Sequence, residues 1–138
     1  MNPVDANAAR TAAFAPYALA ALRTMTALLL LQHGLQKYFG FPVMSERGLA
    51  EPLSLAGLAG ALELVGGSLI LIGLFTRPAA FILSGMLAFA YFIAHAPRGF
   101  YPIANQGELA VLFSFVFLFL SVAGPGAFSL DGWRARRT

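Results

Sequence analysis

The sequence predicts an all-α integral membrane protein, a four-helix bundle running up-down-up-down with both termini in the cytoplasm. Three observations carry this. Hydrophobic residues make up 59% of the chain and charged residues 11%, whereas a soluble domain runs roughly 45–50% and 25%. So few charges cannot coat a water-facing surface. Four apolar segments meet or approach the roughly 20 residues that cross a bilayer. Apolar residues come in runs rather than alternating, which fits helices that satisfy their own backbone and argues against a β-barrel.

The chain of 138 residues is long enough for one unit and not for two ordinary domains. Its start, MNPVDANAAR, lacks the basic-then-apolar pattern of a signal peptide, so this segment is expected to remain as a short tail. The first helix is predicted over about 14–39, carrying Arg23 inside it. The second, about 53–75, follows Pro52 at a helix start. The third runs over about 78–96 and stops at Pro97. The fourth, about 107–123, stops at the Gly-Pro-Gly of residues 124–126.

Short connections make successive spans antiparallel neighbours. Arg10, Arg77, Arg134, Arg136 and Arg137 then share one side. Lys37, Arg47 and Arg98 share the other with Glu46 and Glu51. The positive-inside rule puts the arginine-rich side in the cytoplasm, with Trp133 as its interfacial anchor. The expected location is the cell membrane, in a bacterium the inner membrane. Net charge is +3, and no basic patch interleaved with aromatics points to nucleic acid. The chain has no cysteine, which removes disulfides, thiolate metal ligands and dithiol chemistry.

Helical geometry sorts the polar residues. Arg23 and Lys37 are separated by about 1400°, within about 40° of whole turns, and Thr26, Leu30, His33 and Gly34 lie near the same line. This stripe should face the interior, since lipid would be an expensive neighbour. Glu63, near the middle of the second helix, has Ala56, Gly60, Gly66 and Gly67 around it, a surface that lets another helix approach closely. Ser84, Ala88, Tyr91 and His95 form a line on the third helix. Asn105 and Glu108 stand where the fourth begins, as a cap and a dipole-complementing acid. The expectation is a polar cluster open toward the outside, in which Arg23 and Glu63 pair as its floor.

The residues that carry these features resemble a known family. HGLQKYFG (33–40), LELVGGSLILIGLFTRPAA (62–80), NQGELA (105–110) and GPGAFSLDG (124–132) are similar, in this order, to motifs of the DoxX family of small membrane proteins. The resemblance implies a four-helix membrane fold and, for some members, sulfur-compound oxidation feeding quinone or complexes handling redox stress. It supports architecture more than reaction.

The first functional reading is a redox-associated protein whose cavity binds a quinone-like molecule. If it is an enzyme, it would be a quinone-linked oxidoreductase component. His33 and Glu108 would handle protons, Lys37, Asn105 and His95 would hold polar oxygens, and Arg23 and Glu63 would order the cavity floor. Without cysteine, haem or flavin motifs, electron transfer would need a soluble redox protein, another membrane subunit or the substrate's own redox chemistry. Haem on His33 and His95 is not called for by their spacing, and Lys37 would crowd it. No metal site is expected, since two histidines and no cysteine are a poor zinc set. The alternatives are a non-enzymatic assembly or anchoring subunit and a small transporter or proton-coupled carrier. A homodimer through a glycine-bearing helix face stays open beside them.

Overall fold

The structure is a computed structural model that describes residues 2–137. Among the described residues it is all-helical, with no strand. Helix α1 spans Pro3–Phe39, α2 Leu55–Ile72 and α3 Thr76–Ala90. A π-helical turn (Tyr91–His95) and a 3-10 turn (Ala96–Arg98) continue α3. The short α4 (Pro102–Asn105) precedes α5 (Glu108–Ala123), and α6 (Leu130–Ala135) closes the chain. Among the described residues three stretches are long and apolar enough to cross a membrane: Ala8–Phe39, Leu55–Ile72 and Thr76–Arg98. Helix α5 is apolar but has only 16 residues.

Helix α1 starts earlier than the sequence reading placed it. Pro3 suits a first helical turn, and the alanine-rich stretch after it has high helix propensity. The 37 residues extend about 55 Å, well beyond the roughly 30 Å of a bilayer core. Pro16 sits inside the helix, and its carbonyl accepts a hydrogen bond from Ala127 N at 2.9 Å.

Packing divides the molecule into two pairs. Helix α1 lies tightly on α2 and α3 on α5, while the pairs meet each other more sparsely. Glycines bring α1 and α2 together. A Cβ on Gly34 would stand 2.7 Å from Leu64 Cγ, and one on Gly67 would stand 3.0 Å from Leu31. These contacts run in opposite chain senses, so the two helices are antiparallel. In the other pair Ser114 Oγ donates to Ser84 O at 3.0 Å, and Arg77 donates to the carbonyls of Ser121 and Val122.

The expected inward stripe of α1 is buried at Arg23, Thr26, Leu30 and Gly34. Near the end that carries the termini, Ala27, Ile70, Ala80, Leu83, Phe117 and Leu120 fill the seam between the pairs with an apolar core. That terminal end is locked by the segment after α5. Arg23, 2% exposed, donates from Nη1 to Pro125 O at 2.6 Å and from Nη2 to Phe128 O at 2.9 Å. Asp131 accepts from the backbone N–H of Phe75 (2.9 Å) and Thr76 (2.8 Å), capping α3.

Burial pushes the Asp131 carboxyl up, but the hydrogen bonds from Thr76 and Phe75 and the charge of Arg134 outweigh it and hold its pKa below the ordinary value. A lowered folded pKa gives stability that is complete above the ordinary aspartate value, about 3.9. That stability is lost as pH falls through the depressed value. Asp131→Ala should therefore cost about 1 kcal/mol at neutral pH, with the deficit shrinking on acidification below about pH 4. Thermal unfolding of both proteins in detergent across pH checks this.

Candidate functional site

The chain has a single lysine and two histidines, and all three line one cavity at the end opposite the termini. In a helix each Cα–Cβ bond tilts toward the N-terminus. Lys37, in the last turn of α1, therefore leans back into the bundle, and Glu63 on antiparallel α2 leans up to meet it. Lys37 Nζ stands 2.5 and 2.6 Å from the two carboxylate oxygens. The side chains are 28% and 6% exposed, so the acid is the more deeply enclosed partner. Gly60 makes the contact feasible: a Cβ there would lie 3.2 Å from Lys37 Cδ and 3.0 Å from the Tyr38 ring. Tyr38 Oη donates to Gly57 O at 2.9 Å and fixes the end of α1 against α2.

The cavity measures about 650 Å³ and lies in the seam between the helix pairs. Leu30, Leu62, Leu87 and Phe113 give it apolar walls, and His33, Lys37, Glu63 and His95 gather its polarity. Between α2 and α3 its margin is made of Leu58, Leu62, Phe89 and Ile93, each at least 40% exposed. The hollow is thus open sideways, through an apolar edge. Arg47 and Gln106 stand on its wall from the connecting segments.

Each histidine is positioned. His33 is half-buried, its ring edge-on to Phe113 with centroids 6.2 Å apart. His95 closes the π-helical turn, whose extra residue swings it around from the α3 register. Its ring stacks on Tyr91, with centroids at 6.3 Å. Its Nδ1 lies 3.1 Å from Asn105 O and 3.0 Å from Arg98 Nη2. These contacts are alternatives: a protonated Nδ1 donates to the carbonyl, and a bare one accepts from the guanidinium.

Three expected site residues stand elsewhere. Arg23 does not pair with Glu63. It lies 14 residues before Lys37, about 21 Å along the helix, and its side chain tilts toward the terminal end while Glu63 tilts away from it. Backbone carbonyls of the closing segment compensate its charge instead. Asn105 is 1% exposed, but its amide is engaged by the chain itself. Nδ2 donates to Gly99 O at 2.8 Å and to Tyr91 Oη at 3.3 Å, and Oδ1 accepts from Gly107 N at 2.8 Å. It braces the turn that carries His95 and does not line the cavity. Glu108 is exposed in the first turn of α5 and is also absent from the cavity wall.

Sequence reasoning missed Arg47 and Gln106 at the cavity, because neither stands on a patterned helix face. It also missed Asp131 as the cap of α3, a contact between residues 55 and 56 positions apart. Among the described residues no group of three or more His, Asp or Glu is placed to hold a metal ion.

The sequence profile of DoxX matches residues 18–96, more than half of the chain and including His33, Lys37, Glu63 and His95. The chain belongs to the DoxX family. This DoxX protein is 46% identical over 124 residues to an uncharacterized protein of Haemophilus influenzae, covering 86% of this chain and 91% of that one. It is 31% identical over 140 aligned positions to an uncharacterized membrane protein of Mycobacterium tuberculosis, covering 88% and 84%. No solved structure matches it. The DoxX match and the apolar helices make it a membrane protein that contacts lipid.

Proposed function

We propose that this DoxX protein is a multi-pass protein of the cell membrane, in which α5 also spans and completes a four-helix bundle. Its seam cavity receives the polar head of a membrane-dissolved, quinone-like molecule. The observation that carries this is the convergence of His33, His95 and the Lys37–Glu63 pair on a mostly apolar hollow open between α2 and α3. Ligand cavities typically combine apolar walls with a few convergent polar groups. The sideways apolar margin suits a molecule arriving from acyl chains rather than from water.

In this reading Lys37 and the Nε2–H of His95 donate to carbonyl oxygens of the head, and His33 exchanges one of the two protons of the two-electron step, the other passing to or from water at the cavity's polar end. Glu63 holds Lys37 in place. Glu108 and Asn105 take no direct part, and Arg23 belongs to the scaffold. Electrons come from a soluble redox protein, a neighbouring membrane subunit or the substrate's own redox chemistry. With Arg10, Arg77, Arg134, Arg136 and Arg137 toward the terminal end, both termini face the cytoplasm.

The test is titration of the purified protein with a short-chain ubiquinone analogue, read by isothermal titration calorimetry and thermal shift. Saturable binding with a raised transition is expected, and His95→Ala should weaken it about tenfold, the equivalent of about 1.4 kcal/mol. No binding and no shift with ubiquinone or menaquinone analogues would overturn the quinone reading.

A further inference from the structure

The interior cavity has a neighbour on the opposite side of the bundle. A second pocket of about 330 Å³ lies where α1 meets α5, roofed by Pro42 and Val43 of the following loop. Leu29, Gln32 and Gln36 form its α1 wall. His33, Leu109 and Phe113 line both hollows. Only the thickness of these side chains divides them, and the edge-on contact of His33 with Phe113 forms the partition.

The position of this pocket follows from how the helices pair. The α1–α5 side of the seam is thinly packed compared with the contacts inside each pair. Leu29 and Leu109, on its rim, are 44% and 43% exposed, so the pocket opens onto the lateral surface of the bundle. With α1 and α5 read as spanning helices, this surface faces acyl chains. The roof is tied down: Gln36 Nε2 donates to Val43 O at 3.1 Å. The rim is apolar, and the amides of Gln32 and Gln36 add hydrogen-bonding groups to the wall.

We propose that this α1–α5 pocket is a second, lateral access site for a small amphiphile dissolved in the bilayer, joined to the interior cavity whenever the His33–Phe113 contact parts. It rests on the reading of the cavity as a ligand site, and it adds a second mouth and a partition. The occupant has an uncharged, hydrogen-bonding head, matched by the amides of Gln32 and Gln36 and the ring of His33, and an apolar body that follows Leu29 and Leu109. Interior packing is dense enough that small side-chain shifts open or close such a contact as discrete states. The ring of Phe113, 4% exposed, has the size to do so.

The chain has no cysteine, so a thiol introduced at the partition reports alone. His33→Cys in proteoliposomes is reacted with pyrenyl maleimide dissolved in the bilayer and, separately, with a charged water-soluble methanethiosulfonate. In a Leu58→Trp background, which obstructs the α2–α3 opening and leaves the side pocket as the bilayer route, Leu29→Trp fills that pocket. Val43→Trp, at a 65% exposed roof position, is the second variant should the first fold poorly.

Each should slow the bilayer reagent about tenfold, or about 1.4 kcal/mol in barrier, while the water-soluble reagent keeps its rate. Unchanged labelling in both variants would overturn the proposal, as would equal slowing of the two reagents. A thiol that the bilayer reagent never reaches, as a permanently seated lipid chain would produce, would overturn it too. Because no quinone enters the experiment, its outcome is separate from the quinone titration.

Discussion

Lys37→Met is expected to destabilise the protein by about 3–5 kcal/mol, because it leaves the enclosed Glu63 carboxylate without its counter-charge. Glu63→Leu should cost less. The freed lysine is 28% exposed and sits in the last turn of α1, so its long stem lets the ammonium turn toward the membrane surface. Glu63 has no such escape, being 6% exposed and midway along α2. The double variant Lys37→Met/Glu63→Leu should recover most of the loss, since exchanging a buried ion pair for apolar groups is often near neutral. Unfolding free energies in mixed micelles for the four proteins make a double-mutant cycle. The sign and size of its coupling separate a true pair from two independent residues.

Arg23→Met should have the next largest effect, about 2–4 kcal/mol, because two charge-assisted hydrogen bonds to Pro125 O and Phe128 O disappear together. The damage should be directional. The closing segment also donates from Ala127 N to Pro16 O and from Asp131 N to Gly73 O. Amide exchange at 127 and 131 should rise about tenfold or more once the guanidinium is gone, the equivalent of about 1.4 kcal/mol in local opening. Arg23→Lys should sit between the two, since an ammonium lacks the fork that spans both carbonyls. The Lys37–Glu63 pair should keep its contact in Arg23→Met, because the sites lie about 21 Å apart along α1.

These two residues mark where the sequence is legible and where it is not. Helical spacing was enough to set Arg23, Thr26, Leu30 and Gly34 on one buried line. Small residues around Glu63 were enough to put it at a helix–helix contact, where α1 now lies. Spacing around an axis does not say how far a side chain reaches along it. Arg23 and Glu63 share a facing surface but lean in opposite directions, so the pairing went to Lys37.

Asn105 shows a different limit. An asparagine beside a helix start has several backbone groups to choose among, and a π-helical turn that brings His95 against its carbonyl has no sequence signature. The cap supplied by Asp131 depends on a chain return across more than fifty residues. The hollow seam was the least legible feature. It follows from α1 and α2, and α3 and α5, packing more closely within pairs than across them.

The arrangement on which the site depends is open to one direct measurement. Lys37 is the chain's single lysine, so lysine-selective ¹⁵N with glutamate-selective ¹³C labelling gives one ammonium signal in bilayers. Solid-state dipolar recoupling should show its Nζ coupled to one glutamate carboxyl carbon, and the coupling should vanish in Glu63→Gln. An Nζ with no carboxyl coupling, or one that keeps its coupling in Glu63→Gln, would contradict the Lys37–Glu63 pair and the cavity built around it.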